Sequence, residues 1–346
     1  MQSVQNPTTQ PATPEHWQAV YREAITDPEE LLEALDLPSG LLPAARKAAA
    51  LFPLRVPRGF VARMEPGNPD DPLLRQVLPL AEEQRSVPGY HADPVGDLAA
   101  MPIPGVLHKY HGRVLLVMTG ACAINCRYCF RRHFPYAEAQ LSQRQWQQAL
   151  DYLRQATDVS EVILSGGDPL LLPDAKLVDR LRDLDQIPHL SRLRIHSRLP
   201  VVLPDRMTRT LREMLAGSRL QAVLVLHANH ARELDGRVTE GIRGLSGSNT
   251  TLLNQAVLLR GVNDSAEAQI ALSERLFQIG VLPYYLHLLD PVSGAAHFDV
   301  ELDTARELLH TVRARLPGYL VPTLVSEQAG MASKTPHVNN DGVSLY

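Results

Sequence analysis

The sequence predicts an α/β protein with a partial (βα)6-type or full βα barrel, a mainly helical N-terminal extension and a short C-terminal segment. Three observations lead to this prediction. Short apolar runs alternate with longer amphipathic runs from about residue 112 onward, which is typical of parallel βα units. Sixteen of the 27 prolines lie in residues 1–110, where they interrupt long helices and strands. No GxGxxG fingerprint follows the first strand, so a doubly wound dinucleotide-binding fold is less favoured.

The N-terminal extension is predicted over residues 1–100. Its first dozen residues, rich in Gln, Thr and Pro, read as a frayed tail. Asp27 is typical of an N-cap, and Pro28 followed by two acids is typical of a first helical turn. A second helix is predicted over residues 44–51. Residues 53–104 read mainly as extended or irregular chain.

The barrel is predicted over residues 101–318, and the C-terminal segment over residues 319–346. The strands predicted in these two parts span residues 113–118, 161–165, 192–196, 221–227, 251–259, 282–289 and 319–325. The helices predicted between them span residues 141–156, 174–185, 205–216, 237–245, 265–279 and 300–315.

Composition excludes several classes of protein. The chain has 346 residues, 45% of them hydrophobic, which is enough to bury a large core and too apolar for a disordered chain. A net charge of −4 argues against nucleic acid or an anionic membrane as a partner. The N-terminus has no basic start and no apolar core of a signal peptide, and no apolar run is long enough to span a bilayer. We therefore expect a cytoplasmic protein.

All three cysteines fall within eight residues, as Cys122-x3-Cys126-x2-Cys129. Thiolates are soft ligands that suit iron–sulfur clusters or zinc. Three thiolates can hold a [4Fe–4S] cluster and leave one iron open to an outside ligand. Two alternatives stay open at this point: three buried thiols, or a Cys3His zinc site completed by His133.

Polar side chains follow four of the predicted strands. They are Ser165-Gly166-Gly167-Asp168, His196-Ser197-Arg198, His227-Ala228-Asn229-His230 and Asp290. In βα barrels the carboxyl ends of the strands form the active site, so these clusters predict one site at this edge.

The cysteine motif at the start of a barrel resembles the signature of the radical S-adenosylmethionine (SAM) superfamily. The resemblance implies that Cys122, Cys126 and Cys129 bind a [4Fe–4S] cluster whose open iron binds SAM. Tyr128 matches the aromatic residue that usually precedes the third cysteine. The turn of Gly166, Gly167 and Asp168 resembles the turn whose backbone approaches the SAM amino group, and glycine permits a close approach.

The resemblance narrows to the lysine 2,3-aminomutases over residues 71–336. It is carried by DPLLRQVLP, CRYCFRRHF, ILSGGDPLLL, RLRIHSRLPVVLP, LLNQAVLLRGVND, LPYYLHLLDPVSGAAHF and SKTP. It implies an isomerase that converts L-lysine to (R)-β-lysine. In having no further cysteines, the chain is similar to the branch of the family that supplies β-lysine for modification of elongation factor P. We therefore expect a functional link to an elongation factor P–lysine ligase, and an electron donor.

The resemblance also implies the binding residues for pyridoxal 5′-phosphate (PLP). The family holds PLP covalently on the lysine of a Lys-Thr-Pro motif, which is Lys334 here. Arg113 matches a phosphate-binding arginine, and Lys109 stands at the other basic position. His227 and Gln255 match SAM-contacting positions, with Arg198 as a third polar group nearby.

Three charged residues match substrate-binding positions. Arg131 corresponds to the arginine that pairs with the substrate carboxylate, a role suited to a planar guanidinium. Asp290 and Glu327 correspond to the acids that bind the ε-ammonium of lysine. At the second position lysine-specific members carry Asp, so Glu327 keeps the charge with one methylene more.

Two departures from the family pattern affect these expectations. Residues 330–333 read Gly-Met-Ala-Ser where the family often has a run of glycines, which makes this loop stiffer. The cysteines that bind zinc between subunits in catabolic members are missing, so we expect no structural zinc. The sequence is compatible with a homo-oligomer.

Three alternative functions stay open on the sequence alone. The first is an aminomutase for free lysine in catabolism or osmolyte synthesis. The second is an aminomutase for another amino acid such as glutamate, which two pocket carboxylates would repel. The third is a zinc-stabilised binding module without catalysis.

Overall fold

A single nine-stranded sheet organises the part of the chain that the computed structural model describes, residues 14–245 and 249–337. The predicted frayed tail, the first dozen residues, lies outside the described residues. The strands are β1 Val106–Tyr110, β2 Arg113–Thr119, β3 Glu161–Gly166, β4 Arg192–Ser197, β5 Gln221–Leu226, β6 Thr250–Val257, β7 Leu282–His287, β8 Thr323–Ser326 and β9 Thr335–Pro336.

Helices cover the sheet, and the first four lie in the N-terminal part. They are α1 Pro14–Arg22, α2 Pro28–Ala34, α3 Leu42–Leu51, α4 Arg58–Val61, α5 Tyr136–Ala139, α6 Gln143–Gln155, α7 Asp174–Asp185, α8 Leu199–Val202, α9 Arg209–Gly217, α10 Gly236–Arg243, α11 Ala266–Gln278 and α12 Leu302–Arg315.

The strands lie in the sheet in their chain order, from β1 to β9. Strands β2 to β8 are all parallel, with Val114 opposite Val162 and Leu193 opposite Ala222. Strands β1 and β9 pair antiparallel with β2 and β8, and they form the two edges. The sheet is therefore an open, partial barrel. This confirms the prediction of a partial (βα)6-type barrel, whereas the full barrel is not formed.

The outer helices form for reasons that are visible in the sequence. Ser142 and Gln145 make a capping box that starts α6, and the side chains of Trp146 and Leu150 on this helix are buried. The Asp27 side chain accepts a hydrogen bond from the Glu29 amide, so the predicted N-cap of α2 is confirmed.

The N-terminal part shares its core with the barrel. Leu31, Phe60 and Leu73 are fully buried and belong to the same apolar cluster as Val162 of β3 and Leu224 of β5. The extension therefore packs on the barrel as part of one folded body, which brings its polar residues to the edge of the sheet where the site lies.

Two predicted elements differ from the structure. The strand expected over 319–325 is a 3-10 turn at Gly318–Leu320 followed by the short strand β8. The helix expected from residue 205 begins at Arg209, since a proline turn precedes it and Thr208 caps it. Strand β1 was not predicted. Within the described residues, no helix is both long and apolar enough to cross a membrane.

Candidate active site

Two neighbouring cavities lie at the carboxyl ends of the parallel strands. The first, the cysteine cavity, has a volume of about 140 Å³ and is lined by Cys122, Cys126 and Cys129. The second, the lysine cavity, has a volume of about 230 Å³ and is lined by Lys334 and Glu327. Both cavities share one wall, whose polar side chains are Arg131, Ser165, His196, His227, Gln255 and Asp290. A ligand in either cavity therefore lies next to a ligand in the other.

The three cysteines lie in the loop after β2, and none forms a disulfide. Burial raises the pKa of the Cys122 thiol above its usual range and that of Cys129 to about 11. Metal binding releases these protons, because only the thiolate is a ligand. No group of three His, Cys, Asp or Glu side chains among the described residues is placed to hold a single metal ion. A cubane does not require such convergence, since its thiolates bind different irons.

His133 is directed away from the cysteines. Its ring Nε2 lies 3.1 Å from the carbonyl oxygen of Ser293, and the side chain does not line the cysteine cavity. In this arrangement His133 does not complete a Cys3His set.

The glycine turn after β3 is hydrogen-bonded to the segment that leads into Cys122. The amide of Gly167 donates to the Thr119 carbonyl at 2.7 Å, and that of Asp168 donates to the Ala121 carbonyl at 2.8 Å. A Cβ atom on Gly167 would lie 2.3 Å from the Ala121 oxygen. Close packing against the cysteine loop therefore requires glycine here, independently of any approach to a ligand.

Asp168 connects this turn to β4. Its buried carboxylate accepts hydrogen bonds from the Ser197 hydroxyl at 2.7 Å and from the Arg198 amide at 2.8 Å. Burial raises its pKa to about 6 in spite of these bonds. The structure thus gives Asp168 protein partners that fix the loop carrying Arg198.

Arg198 lies beside the second cysteine. One of its terminal nitrogens donates to the Cys126 sulfur, and the other donates to Gln76 and Glu233. The hydroxyl of Tyr128 accepts a bond of 2.7 Å from Asn229, which also belongs to this buried group.

Three histidines that line the cavities each have a buried ring nitrogen without a partner among the described residues. The Nε2 atoms of His196, His227 and His287 are buried and have no hydrogen-bond partner among the described residues. Burial lowers the pKa of all three rings, that of His227 to about 3, so they are neutral. Buried polar atoms are normally paired, so these nitrogens fit the hydrogen-bonding groups of a bound cofactor.

A chain of alternating charges crosses the lysine cavity. Lys334 and Lys109 both donate to the Glu327 carboxylate at 2.8 Å. Lys109 also contacts Asp97 at 2.6 Å, and Asp97 accepts from Arg131 at 2.7 Å. Burial raises the pKa of Glu327, but the charges of the two lysines outweigh this effect and lower the pKa to about 2. Sequence reasoning missed Asp97, which lies in a segment without regular structure.

The remaining predicted residues also line these cavities. Arg113 lies in the lysine cavity with its guanidinium 4.8 Å from the centre of the Tyr110 ring. Gln255 and Asp290 lie on the shared wall. Burial raises the pKa of Asp290 to about 7, and the nearby Glu327 carboxylate adds to this effect. The loop over residues 328–333 is exposed, and Gly330 takes a φ of 80°, which glycine adopts freely.

Comparison with known proteins agrees with this geometry. Residues 116–267 match the model of the radical SAM superfamily, the class that the cysteine loop and the sheet define. L-lysine 2,3-aminomutase from Escherichia coli is 51% identical over 93% of this chain and 94% of its own length. The enzymes of that name from Haemophilus influenzae and Clostridium subterminale are 47% and 34% identical over 93% and 95% of this chain, and over 95% and 79% of their own lengths. The chain belongs to the lysine 2,3-aminomutase family of radical SAM isomerases.

Membership of this family implies a [4Fe–4S] cluster, SAM and PLP as cofactors. Among solved structures, a radical SAM methyltransferase from Sphaerobacter thermophilus is 18% identical, with a TM-score of 0.45 over 64% of this chain and 68% of that one.

Proposed function

We propose that the chain is an L-lysine 2,3-aminomutase, which moves the amino group of L-lysine from C2 to C3. The observation that carries the proposal is the shared wall between the cysteine cavity and the lysine cavity. A radical formed beside the cysteines then has a short path to a substrate held beside Lys334. Proximity of this kind is the main contribution a protein makes to cofactor chemistry.

In this proposal the cysteine cavity holds the cluster and SAM. Cys122, Cys126 and Cys129 are the cluster ligands. The orphaned imidazole nitrogen of His227 supports its assignment as a SAM contact. The other proposed SAM contacts are Tyr128, Gly166, Gly167, Asp168, Arg198 and Gln255. Of these residues, Gly167 and Asp168 shape the loops around the cavity at least as much as they would contact SAM.

The lysine cavity holds PLP, with Lys334 as the covalent anchor and Arg113 facing the phosphate. We assign Lys109 to the same end of the cavity. Its ammonium already donates to Val95, Asp97 and Glu327, which uses all three of its protons. For Lys109 to contact the phosphate, it must lose one of these three partners. Arg113 therefore contributes more of the positive charge that pairs with the phosphate.

The substrate is held by opposite charges at its two ends. Arg131 binds the α-carboxylate, while Asp290 and Glu327 bind the ε-ammonium. Glu327 is paired with Lys334 before the cofactor binds. Once Lys334 is engaged by PLP, the ε-ammonium of lysine replaces that cation at Glu327. A shorter or acidic amino acid cannot make this exchange, which gives selectivity for lysine.

The cofactors would supply the reaction chemistry: a cluster held by the three cysteines would give the electron that cleaves SAM to methionine and a 5′-deoxyadenosyl radical, and PLP held by Lys334 would supply a π-system that stabilises the migrating nitrogen. The chain supplies position, charge pairing and exclusion of water. We assign residues 1–100 to the extension, 101–318 to the barrel and 319–346 to the segment that carries Lys334.

We further propose that the product is (R)-β-lysine and that it serves the modification of elongation factor P in the cytoplasm. This finer assignment is supported by the resemblance to the branch without further cysteines, and by thiols that suit a reducing compartment. A ligase assay tests it: product from this enzyme should be transferred to elongation factor P by an elongation factor P–lysine ligase.

Anaerobic turnover tests the main proposal. Enzyme with a full cluster, SAM, PLP, a reductant and L-lysine should form β-lysine, which chiral chromatography detects. L-Glutamate under the same conditions should give no product. Retention of both cluster absorbance and turnover in Cys126→Ala would refute the assignment, as would failure of the fully loaded enzyme to form β-lysine.

A further inference from the structure

Arg198 is a buried cation in contact with a cluster ligand. Its side chain is 6% exposed, and one terminal nitrogen donates to the sulfur of Cys126. The rings of Tyr128 and Phe60 lie 5.7 and 5.5 Å from the guanidinium and keep water away from it. Charge interactions are strong in such a site because screening is weak.

Two residues from distant parts of the chain fix this guanidinium. Glu233 accepts from its second terminal nitrogen at 2.9 Å, and the side-chain oxygen of Gln76 accepts from the same nitrogen at 2.5 Å. Both residues are fully buried. Gln76 also donates to Glu233 at 3.1 Å, so the two acceptors hold each other in place.

We propose that Arg198 is a positioning residue that sets the reduction potential of the cluster, and that Glu233 moderates its effect. Reduction adds one electron, and hence one negative charge, to the cluster. A cation that donates a hydrogen bond to a ligand sulfur stabilises the reduced form and raises the potential. The Glu233 carboxylate on the other side of the same guanidinium offsets part of that charge.

The proposal predicts opposite effects of two changes. Glu233→Gln is nearly isosteric and removes a negative charge, so the potential rises. Replacing Arg198 with Met as well removes the cation and its bond to Cys126, so the double variant has a lower potential than Glu233→Gln. The double change also avoids a buried carboxylate without a partner.

The inference rests on the proposed function only in that a cluster is bound. The experiment is a redox titration, followed by electron paramagnetic resonance, of protein with a full complement of iron and no SAM, PLP or lysine. Because no turnover is measured, the reduction potentials can be interpreted even if the aminomutase proposal fails.

The matched control is Asp174→Asn. Asp174 is the carboxylate partner of Arg206, another buried arginine, at 2.7 Å, and this pair does not contact the cysteines. We expect this variant to lose stability without a shift in potential. Equal potentials in Glu233→Gln and the double variant, or a shift in the control as large as theirs, would overturn the proposal. If the double variant does not bind a full cluster, a Glu233→Gln potential at or below that of the parent enzyme overturns it.

Discussion

At the scale of single residues, Asp290 has a protonation state that depends on pH near neutrality. Burial raises its pKa to about 7, and the nearby Glu327 carboxylate raises it further. A carboxyl with a raised pKa is neutral below that pH and charged above it. Only the charged form attracts the ammonium of lysine.

We therefore predict that kcat/KM for lysine falls about tenfold per unit as the pH drops below about 7, because this ratio reports the ionisation of the free enzyme. Asp290→Asn should lower kcat/KM at pH 8 and remove this acid limb. Rate profiles between pH 5.5 and 8.5, by chromatography of β-lysine, provide the measurement. An unchanged acid limb in the variant would assign it to another group.

Glu327 holds two ammonium groups at 2.8 Å in the described structure. Glu327→Gln removes the charge that lysine is proposed to use, and a hydrogen bond to a charged group contributes about 1.5–3 kcal/mol. We expect kcat/KM for lysine to fall roughly 10–100-fold. The control Glu327→Asp keeps the charge and should stay within a few-fold of the parent enzyme. Equal losses in both variants would show that length, not charge, governs binding.

The sequence identified most charged residues of the site but not their partners. Asp97 was missed, although it joins Lys109 to Arg131 in the lysine cavity. Its neighbours in the chain carry no pattern that separates it from a solvated acid. Its role depends on where the extension packs, which local sequence does not specify.

At the scale of elements, the glycine turn after β3 fixes the geometry of the cysteine loop. Gly166 has a φ of 122°, and a Cβ there would lie 2.6 Å from the Thr119 oxygen. The two elements pack backbone to backbone, so a methyl group cannot be accommodated by a side-chain movement.

Gly167→Ala should therefore push the turn away from Cys122. We expect a lower melting temperature of the apoprotein and a reduced iron content after reconstitution. The control is Gly217→Ala, at the end of α9, where an added Cβ meets nothing within 4 Å and should be neutral or mildly stabilising. Normal iron content in Gly167→Ala would mean that the loop tolerates the displacement.

The central strands and outer helices were predictable because their periodicity is strong and local. Helix α7 begins and ends where its pattern predicts, at residues 174 and 185. Strands β1 and β9 were not predicted. They are short and exist through pairing with β2 and β8, a tertiary contact that no local pattern records.

At the scale of the whole molecule, the extension packs on the barrel in one shared core and contacts the cysteine loop. The Glu83 side chain is fully buried, and its carboxylate accepts hydrogen bonds from Arg127 at 2.8 Å and from Arg132 at 2.7 Å. Both arginines belong to the cysteine loop or follow it directly. A single carboxylate from the extension thus pairs with two buried cations of the loop and offsets one of their two positive charges.

Glu83→Ala should destabilise the protein by about 3–5 kcal/mol, because it leaves buried charges without a partner. Denaturant unfolding of the apoprotein measures this loss. The adjacent Glu82 is exposed, so Glu82→Ala should stay within about 0.5 kcal/mol of the parent protein. Similar small effects of both changes would show that the arginines find other partners.

The sequence by itself predicted the class of fold and a cluster of three candidate thiolate ligands, because these depend on periodicity and spacing along the chain. The role predicted for Lys334 came only from the resemblance to the lysine 2,3-aminomutases. Tertiary structure alone decided that the cysteine and lysine cavities share a wall. It alone decided that Asp97 pairs with Arg131, Gln76 with Arg198 and Glu83 with Arg127. It also decided that Gly167 serves the packing of the cysteine loop. The physical reason is that partner choice among buried charges and close backbone contacts depends on distances across the fold, which residue order does not encode locally.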